Sequence, residues 1–324
     1  MTGSVDPLST WRDDFVLAIP AFDEVENMEP LFAALTETWQ RHRLGGEVVL
    51  VDDGSTDGTA AAAAAAATAF PAPVRIARHA VNRGKTEALV TAGSASGRTW
   101  LVLFDADLQH SAEEIPRFLA RLADGYDIVT GWKQGRYDKR LVSGVYNWLS
   151  RRLFRVPVHD LNSMKAFRRT ILDVIPLRHD WHRFFVVLAH DRGYRVGEIP
   201  ITLYPRLRGE AKYSGAGRIL IGTLDLLAVK TLTSFLRKPL VFFGTLGALL
   251  TGSGVIIGLI SLYYRFALAQ GYRPLLYLVT LLIVLGVLLF ALGIIAEAIV
   301  HVRDRIEHLE RRLFERPDGP GAGE

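Results

Sequence analysis

The chain has 324 residues, with 38 Lys or Arg, 34 Asp or Glu and a formal net charge of +4. Hydrophobic residues make up 49% of it, aromatic residues 10%, and it contains no cysteine. This composition excludes a disordered chain, which would be poor in aromatic residues, and a small scaffold held together by disulfides. A mean hydropathy of +0.19 is high for a soluble enzyme, and two apolar segments near the end account for it.

Short apolar strands alternate with helical segments over the first part of the chain. The pattern predicts strands at 15–20, 47–52, 74–77, 100–104 and 127–130. Helices are predicted at about 26–43, 60–67, 85–96 and 113–124, the second of them capped near Asp57. Strict alternation predicts an α/β fold: a mainly parallel, Rossmann-like sheet with helices on both faces.

Polar side chains follow three of the predicted strands. The first strand runs into PAFDE at 20–24, the second into DDGS at 52–55, and the fourth into DADLQ at 105–109. Ligands of such sheets bind beyond the carboxyl ends of the strands, so we expect these groups to lie at one rim. Carboxylates brought together there would repel one another without a cation or a donor-rich ligand.

The residues at 105–109 are the strongest candidates for a metal site. Asp105, Asp107 and Gln109 offer the oxygen ligands that Mg²⁺ and Mn²⁺ prefer, and Mg²⁺ commonly shares such a site with substrate phosphates. The alternative is a solvated turn that caps the next helix through Ser111. The turn after the second strand is also ambiguous, because Asp52 could contact a ribose or base while Gly54 merely permits a tight turn. The sequence has neither a P-loop motif nor a G-x-G-x-x-G after the first strand.

Two segments near the end can cross a membrane. Residues 240–264 and 275–296 carry no charge, and a spanning helix needs about 20 apolar residues. Their connection at 265–274 is short, which predicts a helical hairpin with both chain ends on one side. Basic residues favour the outer flanks over this connection, which places the catalytic part and both termini in the cytoplasm and the hairpin in the plasma (inner) membrane. The flanking residues are Arg237, Lys238, Arg303, Arg305, Arg311 and Arg312.

These patterns predict the domain organisation. An N-terminal extension at 1–13 precedes a catalytic domain at 14–213. Residues 214–238 predict an amphipathic helix in the membrane interface, although a core helix of the soluble domain is the alternative. The transmembrane hairpin at 239–300 and a charged cytoplasmic tail at 301–324 complete the chain.

The motifs in this order resemble those of the GT-A glycosyltransferases of family 2. The resemblance rests on PAFDE at 20–24, VDDGSTD at 51–57, NRGK at 82–85 and DADLQH at 105–110. More narrowly, PRLRGEAKYS at 205–214, the amphipathic stretch after it and the two-helix anchor are similar to dolichol-phosphate mannose synthases and bacterial polyprenyl-phosphate glycosyltransferases. The resemblance covers roughly residues 14 to 300.

The resemblance implies roles for individual residues. It implies that Asp105, Asp107 and Gln109 bind Mg²⁺ or Mn²⁺ against the diphosphate of the donor. The implied nucleotide-sugar contacts are Pro20, Phe22, Glu24, Asp52, Asp53, Asp105 and Ala106. The implied acceptor-phosphate contacts are Lys133, Arg140, Ser143, Arg206 and Lys212, and the implied catalytic residues are Asp105, Asp107, Arg206 and Lys212.

The sequence departs from the family pattern at four points. Lys133 stands where Arg is frequent, and Lys lacks the bidentate fork of Arg. Phe22 and Asp23 stand where Tyr and Asn are usual, and the expected Gly is missing after Ser163. For Arg206 and Lys212 the alternative is a solvated basic loop beside anionic headgroups.

The implied activity is that of a hexosyltransferase. It moves a sugar with inversion from a nucleoside-diphosphate sugar to a polyprenyl phosphate, undecaprenyl or dolichyl, on the cytoplasmic face. The implied partners are this donor, this acceptor and the lipid bilayer; homo-oligomers occur in the family, and no nucleic-acid partner is expected. The alternatives are a family 2 enzyme with another acceptor (glycolipid, polysaccharide or protein), a processive polysaccharide synthase, and a non-catalytic membrane scaffold. A processive synthase is disfavoured because the chain has no Q-x-x-R-W motif and too few spans.

Overall fold

The computed structural model describes residues 9–134, 154, 156–161, 163–175, 177, 184–205, 238–269, 271 and 273–314. The chain forms two compact units, Met1–Thr223 and Leu224–Glu324. The strands of the first unit are β1 (Phe15–Ala21), β2 (Glu47–Asp52), β3 (Val74–Arg78), β4 (Trp100–Leu103), β5 (Ile128–Gln134), β6 (Lys165–Arg168) and β7 (Val196–Thr202). Its helices are α1 (Ser9–Asp13), α2 (Val25–His42), α3 (Thr59–Ala67), α4 (Lys85–Ser94), α5 (Glu114–Ala123), α6 (Ile171–Val174) and α7 (Phe185–Asp191).

The seven strands form one sheet in the order β3-β2-β1-β4-β6-β5-β7. Strand β1 pairs in parallel with β2 and β4, β2 with β3, and β5 with β7. Strand β6 is antiparallel to both of its neighbours, β4 and β5. The predicted mainly parallel α/β sheet is therefore confirmed, and the five predicted strands and four predicted helices all occur.

The centre of the sheet is buried on both faces. In β1, the five residues 15–19 have no exposed surface, as expected for a central parallel strand covered by helices. Helix α2 covers one face with the apolar residues Met28, Leu31 and Leu35, and Trp39 next to them donates a hydrogen bond to the Gly46 carbonyl (3.0 Å). Burial of these side chains supplies the main driving force for this packing.

The antiparallel direction of β6 decides which of its residues reaches the polar rim. Its first residue, Lys165, lies opposite Leu103 of β4 and Thr130 of β5. Leu103 is the last residue of β4, and Thr130 is the third of the seven residues of β5. The amino end of β6 therefore lies beside the carboxyl end of β4 and the first half of β5.

The second unit contains a pair of long helices, α8 (Pro239–Ala267) and α9 (Arg273–Phe314). Both are long and apolar enough to cross a membrane, and only 17% and 11% of their most apolar windows is buried, unlike core helices of a soluble domain. They pack closely through glycine, because a Cβ on Gly247 would lie 2.6 Å from the Gly286 carbonyl oxygen. The two predicted spans are present as helices. The predicted amphipathic helix at 214–238 lies outside the described residues apart from Lys238.

Candidate functional site

The turns that follow β1 and β2 are bonded to each other. The Asp23 amide donates to Ser55 Oγ (2.9 Å), and the Thr56 amide donates to Asp23 Oδ1 (2.9 Å). The Glu24 amide donates to Thr59 Oγ1 (2.8 Å). Asp23 adopts a left-handed φ of +48°, a conformation that non-glycine residues adopt mainly where surrounding bonds impose it. These contacts make the two turns one rigid unit at the rim.

Asp52 is buried at the end of β2 and keeps one oxygen available. Its Oδ1 accepts a hydrogen bond from the Ser55 amide (2.9 Å), and its Oδ2 lies 3.3 Å from Arg78 Nε. Among the described residues, no group donates a well-directed hydrogen bond to Oδ2. A buried acceptor without a donor is costly, so this oxygen is suited to receive a hydrogen bond from a ligand. Pro20, Phe22 and Glu24, the other predicted nucleotide contacts of this half, are partly exposed at the same rim.

Asp53 uses both carboxylate oxygens within the protein. Oδ1 accepts from the Arg83 amide (2.9 Å) and lies 2.6 Å from His79 Nδ1, while Oδ2 accepts from the Gly84 amide (2.7 Å). His79 in turn lies 2.9 Å from Thr91 Oγ1. Sequence reasoning predicts a nucleotide contact for Asp53, and that role stays a prediction. The observed contacts fix the loop that leads into α4.

Gly54 allows this loop to approach the turn after β2. A Cβ at Gly54 would lie 2.6 Å from both the Val81 carbonyl carbon and the Asn82 amide nitrogen. Its φ of +81° is also in the left-handed region that favours glycine. The close approach therefore requires glycine here on two separate grounds.

Asp105 follows β4 and is paired with a lysine. Lys85, the first residue of α4, donates a hydrogen bond from Nζ to Asp105 Oδ1. Burial alone would raise the pKa of Asp105, but the positive charge and hydrogen bond of Lys85, together with the positive charge of Lys133, outweigh it and hold the pKa well below its usual range. Asp105 is thus an ionised carboxylate at neutral pH.

The loop after Asp105 is tightly constrained. Asp107 Oδ1 accepts from the Gln109 amide (3.2 Å), and the Gln109 side-chain amide lies 3.5 Å from the Tyr204 carbonyl. Ala106 is buried, and Leu108 has a left-handed φ of +56°. Strained backbone of this kind concentrates at functional sites, where it holds side chains in a working geometry.

Cationic side chains surround this loop from β5 and β6. Lys133 Nζ lies 3.6 Å from Asp160 Oδ2. Lys165 is 1% exposed, and its Nζ donates to the Ser163 carbonyl (2.8 Å). Burial, with the nearby charge of Lys85, lowers the pKa of Lys165 to about 7.

His110 belongs to the same cluster. Burial lowers the pKa of His110 to about 4, so it is neutral at pH 7. Its Nδ1, like Ser163 Oγ, is buried and has no hydrogen-bond partner among the described residues. The cluster therefore combines three lysines with buried polar atoms that have no hydrogen-bond partner among the described residues, an arrangement that suits a polar ligand.

The donor set at 105–109 fits a hard divalent cation. Asp105, Asp107 and Gln109 carry only oxygen ligands, and the lowered pKa of Asp105 keeps that carboxylate charged. Within the described residues there is no group of three or more His, Cys, Asp or Glu that could enclose a metal by itself. Two carboxylates with few further ligands suit Mg²⁺ or Mn²⁺, since Mg²⁺ keeps waters and takes oxygens from substrate phosphates.

The structure groups the predicted residues by strand. Pro20, Phe22, Glu24 and Asp52 lie at the ends of β1 and β2, and Asp105, Asp107, Gln109 and Lys133 lie at the ends of β4 and β5. Arg140, Ser143, Arg206 and Lys212 lie outside the described residues, so the roles implied for them stay predictions.

Four residues of the charged cluster had no predicted role: Lys85, His110, Asp160 and Lys165. Lys85 and His110 stand inside motifs that carry the family resemblance. Lys165 lies in the short segment KAFR at 165–168 and is itself buried. The only sign of it in the sequence is a lysine placed directly before two apolar residues.

Comparisons with known proteins identify the family of this chain. The model of the family described as "Glycosyl transferase family 2" matches residues 16–185. A dodecaprenyl-phosphate galacturonate synthase of Rhizobium johnstonii is 30% identical over 298 residues, which covers 88% of this chain and 86% of that protein. An undecaprenyl-phosphate 4-deoxy-4-formamido-L-arabinose transferase of Pseudomonas fluorescens is 28% identical over 260 residues, 79% of this chain and 75% of that protein.

A solved structure confirms the architecture. Glucosyl-3-phosphoglycerate synthase of Mycobacterium tuberculosis, in complex with Mn²⁺, UDP and glucosyl-3-phosphoglycerate, matches with a TM-score of 0.55 at 17% identity. The match covers 70% of this chain and 82% of that chain. A second structure of that enzyme, with Mg²⁺ and UDP, matches with the same TM-score at 18% identity, covering 68% of this chain and 82% of that one. At this identity the likeness establishes the GT-A fold.

Proposed function

This chain belongs to glycosyl transferase family 2, and on that premise we propose that it is a membrane-anchored, inverting hexosyltransferase acting on a polyprenyl phosphate. The observation that carries the proposal is the Asp105 carboxylate bound to Lys85, with Lys133 and Lys165 beside it at the ends of β5 and β6. The names of the two curated relatives, both polyprenyl-phosphate sugar transferases, support the acceptor class.

The donor nucleotide is proposed to bind at the β1–β2 half of the rim. The unsatisfied Oδ2 of Asp52 would accept a hydrogen bond from the base or ribose. Pro20, Phe22 and Glu24 are partly exposed beside it and would complete the pocket. Because the two turns are already bonded to each other, they need little reorganisation to bind the nucleotide.

The diphosphate is proposed to lie against Asp105, Asp107 and Gln109. A divalent cation held there would neutralise the charge that develops on the departing diphosphate. Lys85 both stabilises the Asp105 carboxylate and supplies positive charge near the leaving group. Fixed charges of this kind stabilise a transition state without reorganising during the reaction.

The acceptor phosphate is already anionic near neutral pH, so it needs little help from a general base. Its oxygen forms the new bond to the anomeric carbon while the bond from that carbon to the diphosphate oxygen breaks. The bonding electrons leave with the nucleoside diphosphate, and in-line attack inverts the carbon. Lys133 is proposed to hold the acceptor phosphate, together with Arg140, Ser143, Arg206 and Lys212.

The two apolar helices make this a membrane protein, which suits a lipid acceptor. We further propose that the catalytic domain and both termini face the cytoplasm, because basic residues flank the hairpin outside its connection. The proposed domain boundaries are those read from the sequence, with the catalytic domain at 14–213 and the hairpin at 239–300.

The test is transfer of sugar to a polyprenyl phosphate by the purified protein, with Mg²⁺ or Mn²⁺ and a panel of UDP- and GDP-sugars. Asp107→Asn should lower the rate by at least about 10²-fold, as expected when a charged group that stabilises the transition state is removed. Asp124→Asn is the matched control, because Asp124 is exposed and its ion pair is with Arg121 on α5. If a nucleotide binds in a metal-dependent way but no sugar is transferred to any polyprenyl phosphate, the proposed acceptor class is wrong. If no nucleotide binds at all, the proposed enzymatic activity is wrong.

A further inference from the structure

His79 lies between the turn after β2 and helix α4, and it contacts both. It directly follows β3, and its backbone amide donates to the Asp52 carbonyl (2.9 Å), which continues the pairing of β3 with β2. Its buried side chain lies beside the next residue of that turn. Nδ1 is 2.6 Å from Asp53 Oδ1, and Nε2 is 2.9 Å from Thr91 Oγ1 on α4. Both ring nitrogens are thus used for contacts within the protein.

The chemistry of the two partners decides the direction of these hydrogen bonds. An ionised carboxylate can only accept, so the proton of His79 Nδ1 is donated to Asp53. The Thr91 hydroxyl can donate to Nε2 or accept from it. His79 therefore holds a carboxylate on one side and a helix on the other without needing a ligand.

Asp53 passes this restraint to the loop before α4. The consecutive amides of Arg83 and Gly84 donate to its two oxygens, at 2.9 Å and 2.7 Å. Both bonds need the carboxylate plane in one orientation, and the hydrogen bond from His79 opposes its rotation. Gly84 is the last residue before α4 and has a φ of +89°, which glycine adopts without strain. The loop is therefore fixed up to the point where the helix begins.

The contact with Thr91 holds α4 at a second point. Thr91 lies six residues after Lys85, the first residue of α4, or about 9 Å along the helix axis at 1.5 Å per residue. A helix held at one point can still turn about it, whereas two points fix its direction. His79 therefore determines where the backbone of Lys85 lies.

The position of this backbone matters because the Lys85 side chain reaches across to the end of β4. Its Nζ donates to Asp105 Oδ1, on a flexible four-carbon stem. The side chain of Lys85 is 29% exposed and that of Asp105 33%, so water competes for both charges. An ion pair with this exposure is weak by itself, and its geometry depends on the backbone that holds it.

We propose that His79 is a positioning residue for Lys85. By holding Asp53 against the amides before α4, His79 keeps the Lys85 ammonium on Asp105. This role rests on the function proposed above, in which Lys85 supplies positive charge near the departing diphosphate. His79 itself contacts neither the donor nor the acceptor, so its effect on sugar transfer passes through Lys85.

The first test is a double-mutant cycle on the rate constant of sugar transfer, measured with the full chain. His79→Leu alone should lower this rate constant by about 10- to 100-fold, as is usual for residues that orient the ligands of a metal site. In the Lys85→Gln background the same substitution should change it by less than about twofold, because the group to be positioned is gone. Losses that multiply would overturn the proposal, since His79 would then act by another route.

Two conservative variants separate the contacts of His79. Asn places its side-chain nitrogen near the position of Nδ1 and can still donate to Asp53, whereas Gln places it near Nε2 and reaches only Thr91. His79→Asn should therefore keep most of the transfer rate, and His79→Gln should lose about as much as His79→Leu. The reverse order, or equal rates in the two variants, would overturn the route through Asp53.

Hydrogen exchange adds a measurement that needs no substrate. His79→Gln should speed the exchange of the Arg83 and Gly84 amides several-fold, whereas His79→Asn should not. His42→Gln is the matched control, because it removes a histidine contact of similar length, 2.7 Å to Glu113, between α2 and the residue before α5. It should leave the exchange of both amides and the transfer rate unchanged.

The positioning role and the proposed function fail in different ways. If the unsubstituted protein transfers no sugar, the proposed function is wrong, and the exchange of the two amides still tests what His79 holds in place. If it transfers sugar but His79→Gln changes neither the exchange nor the rate, the positioning role is wrong and the proposed function stands.

Discussion

The two halves of the catalytic rim use buried charge in opposite ways. At the ends of β1 and β2, the carboxylates of Asp23 and Asp53 accept hydrogen bonds from backbone amides of the protein itself. At the ends of β4, β5 and β6, Asp105 and Asp160 face lysine side chains, and His110 Nδ1 and Ser163 Oγ find no hydrogen-bond partner in the part of the chain that the structure describes.

The turns after β1 and β2 are held in place by hydrogen bonds within the protein. The charged groups at the ends of β4, β5 and β6 are instead suited to be balanced by the charge of a ligand. Amide donors satisfy a carboxylate permanently, so the turns after β1 and β2 are fixed without a ligand. Lysines that are buried beside carboxylates are costly without further negative charge, and groups of this kind cluster at functional sites. Four experiments test this division, beginning with the largest expected effect.

The largest effect is expected from Lys85→Gln. It removes the partner of Asp105 and a positive charge beside the proposed diphosphate, and should lower the rate constant of sugar transfer by about 10²–10³-fold. Arg83→Gln is the matched control, because Arg83 lies two residues before Lys85 and its side chain pairs with Glu87 at 3.8 Å, on α4 itself. Steady-state kinetics on both variants measures the difference. Equal losses of the rate constant would show that Lys85 has no specific role at the site.

The adjacent residues Asp52 and Asp53 should separate binding from stability. Asp53→Asn disrupts the contact with His79 and the two hydrogen bonds from backbone amides of the loop before α4. It should lower the free energy of unfolding by about 3 kcal/mol. Asp52→Asn should weaken nucleotide binding with a smaller loss of stability, because its Oδ2 has only the ion-pair contact with Arg78 and accepts no hydrogen bond from the described residues. Thermal unfolding and nucleotide titration of both variants would measure this. If Asp53→Asn weakened nucleotide binding and Asp52→Asn lowered stability more, the two assignments would be wrong.

Lys165→Met should stabilise the protein by about 1–2 kcal/mol at pH 7, since a buried charge is exchanged for an apolar side chain of similar length. The pKa of Lys165 falls from 10.5 in the unfolded chain to about 7 in the fold. The unfolded chain therefore binds more protons between these values, and the unfolding free energy of the unsubstituted protein rises with pH there. Melting temperatures at pH 7 to 10 should show the advantage of the variant shrinking as pH rises. A constant difference would contradict the lowered pKa.

The smallest effect concerns two glycines with similar backbone angles. Gly54→Ala and Gly58→Ala both place a Cβ at positive φ, +81° and +94°. Only at Gly54 does that Cβ meet other atoms, the backbone of residues 81 and 82, while nothing lies within 4 Å at Gly58. Gly54→Ala should therefore be the less stable by about 1–2 kcal/mol in thermal unfolding. Equal losses of stability in the two variants would mean that residues 81 and 82 can move away from the added Cβ without a cost in free energy.

The sequence was sufficient to predict the strands that are apolar and parallel, and insufficient for those that are not. Segments such as EVVLVD at 47–52 carry an unambiguous pattern. Strand β6 has only four residues, with charges at both ends, and β7 contains Pro200, which is tolerated because β7 is at the edge of the sheet. Neither segment was predicted as a strand.

The same limit applies to the candidate site. Asp105 and Asp107 could be predicted because their motif directly follows an apolar strand. The place of Lys165 depends on β6 inserting antiparallel between β4 and β5, a choice of strand order that no local pattern records. The role of Asp53 in holding the loop before α4 depends in the same way on contacts 30 residues away in the chain.

The strand order also has a consequence for how the chain is made. Strands β1 to β4 form one contiguous block of the sheet, in the order β3-β2-β1-β4, and can pair as soon as Leu103 has left the ribosome. Strand β5 has only β6 and β7 beside it, and these follow it by some 30 and 60 residues. During synthesis β5 is therefore an apolar strand without a partner, the kind of species that associates wrongly when its completion is slow. The half of the rim that carries the lysine cluster is then the last part of the sheet to assemble.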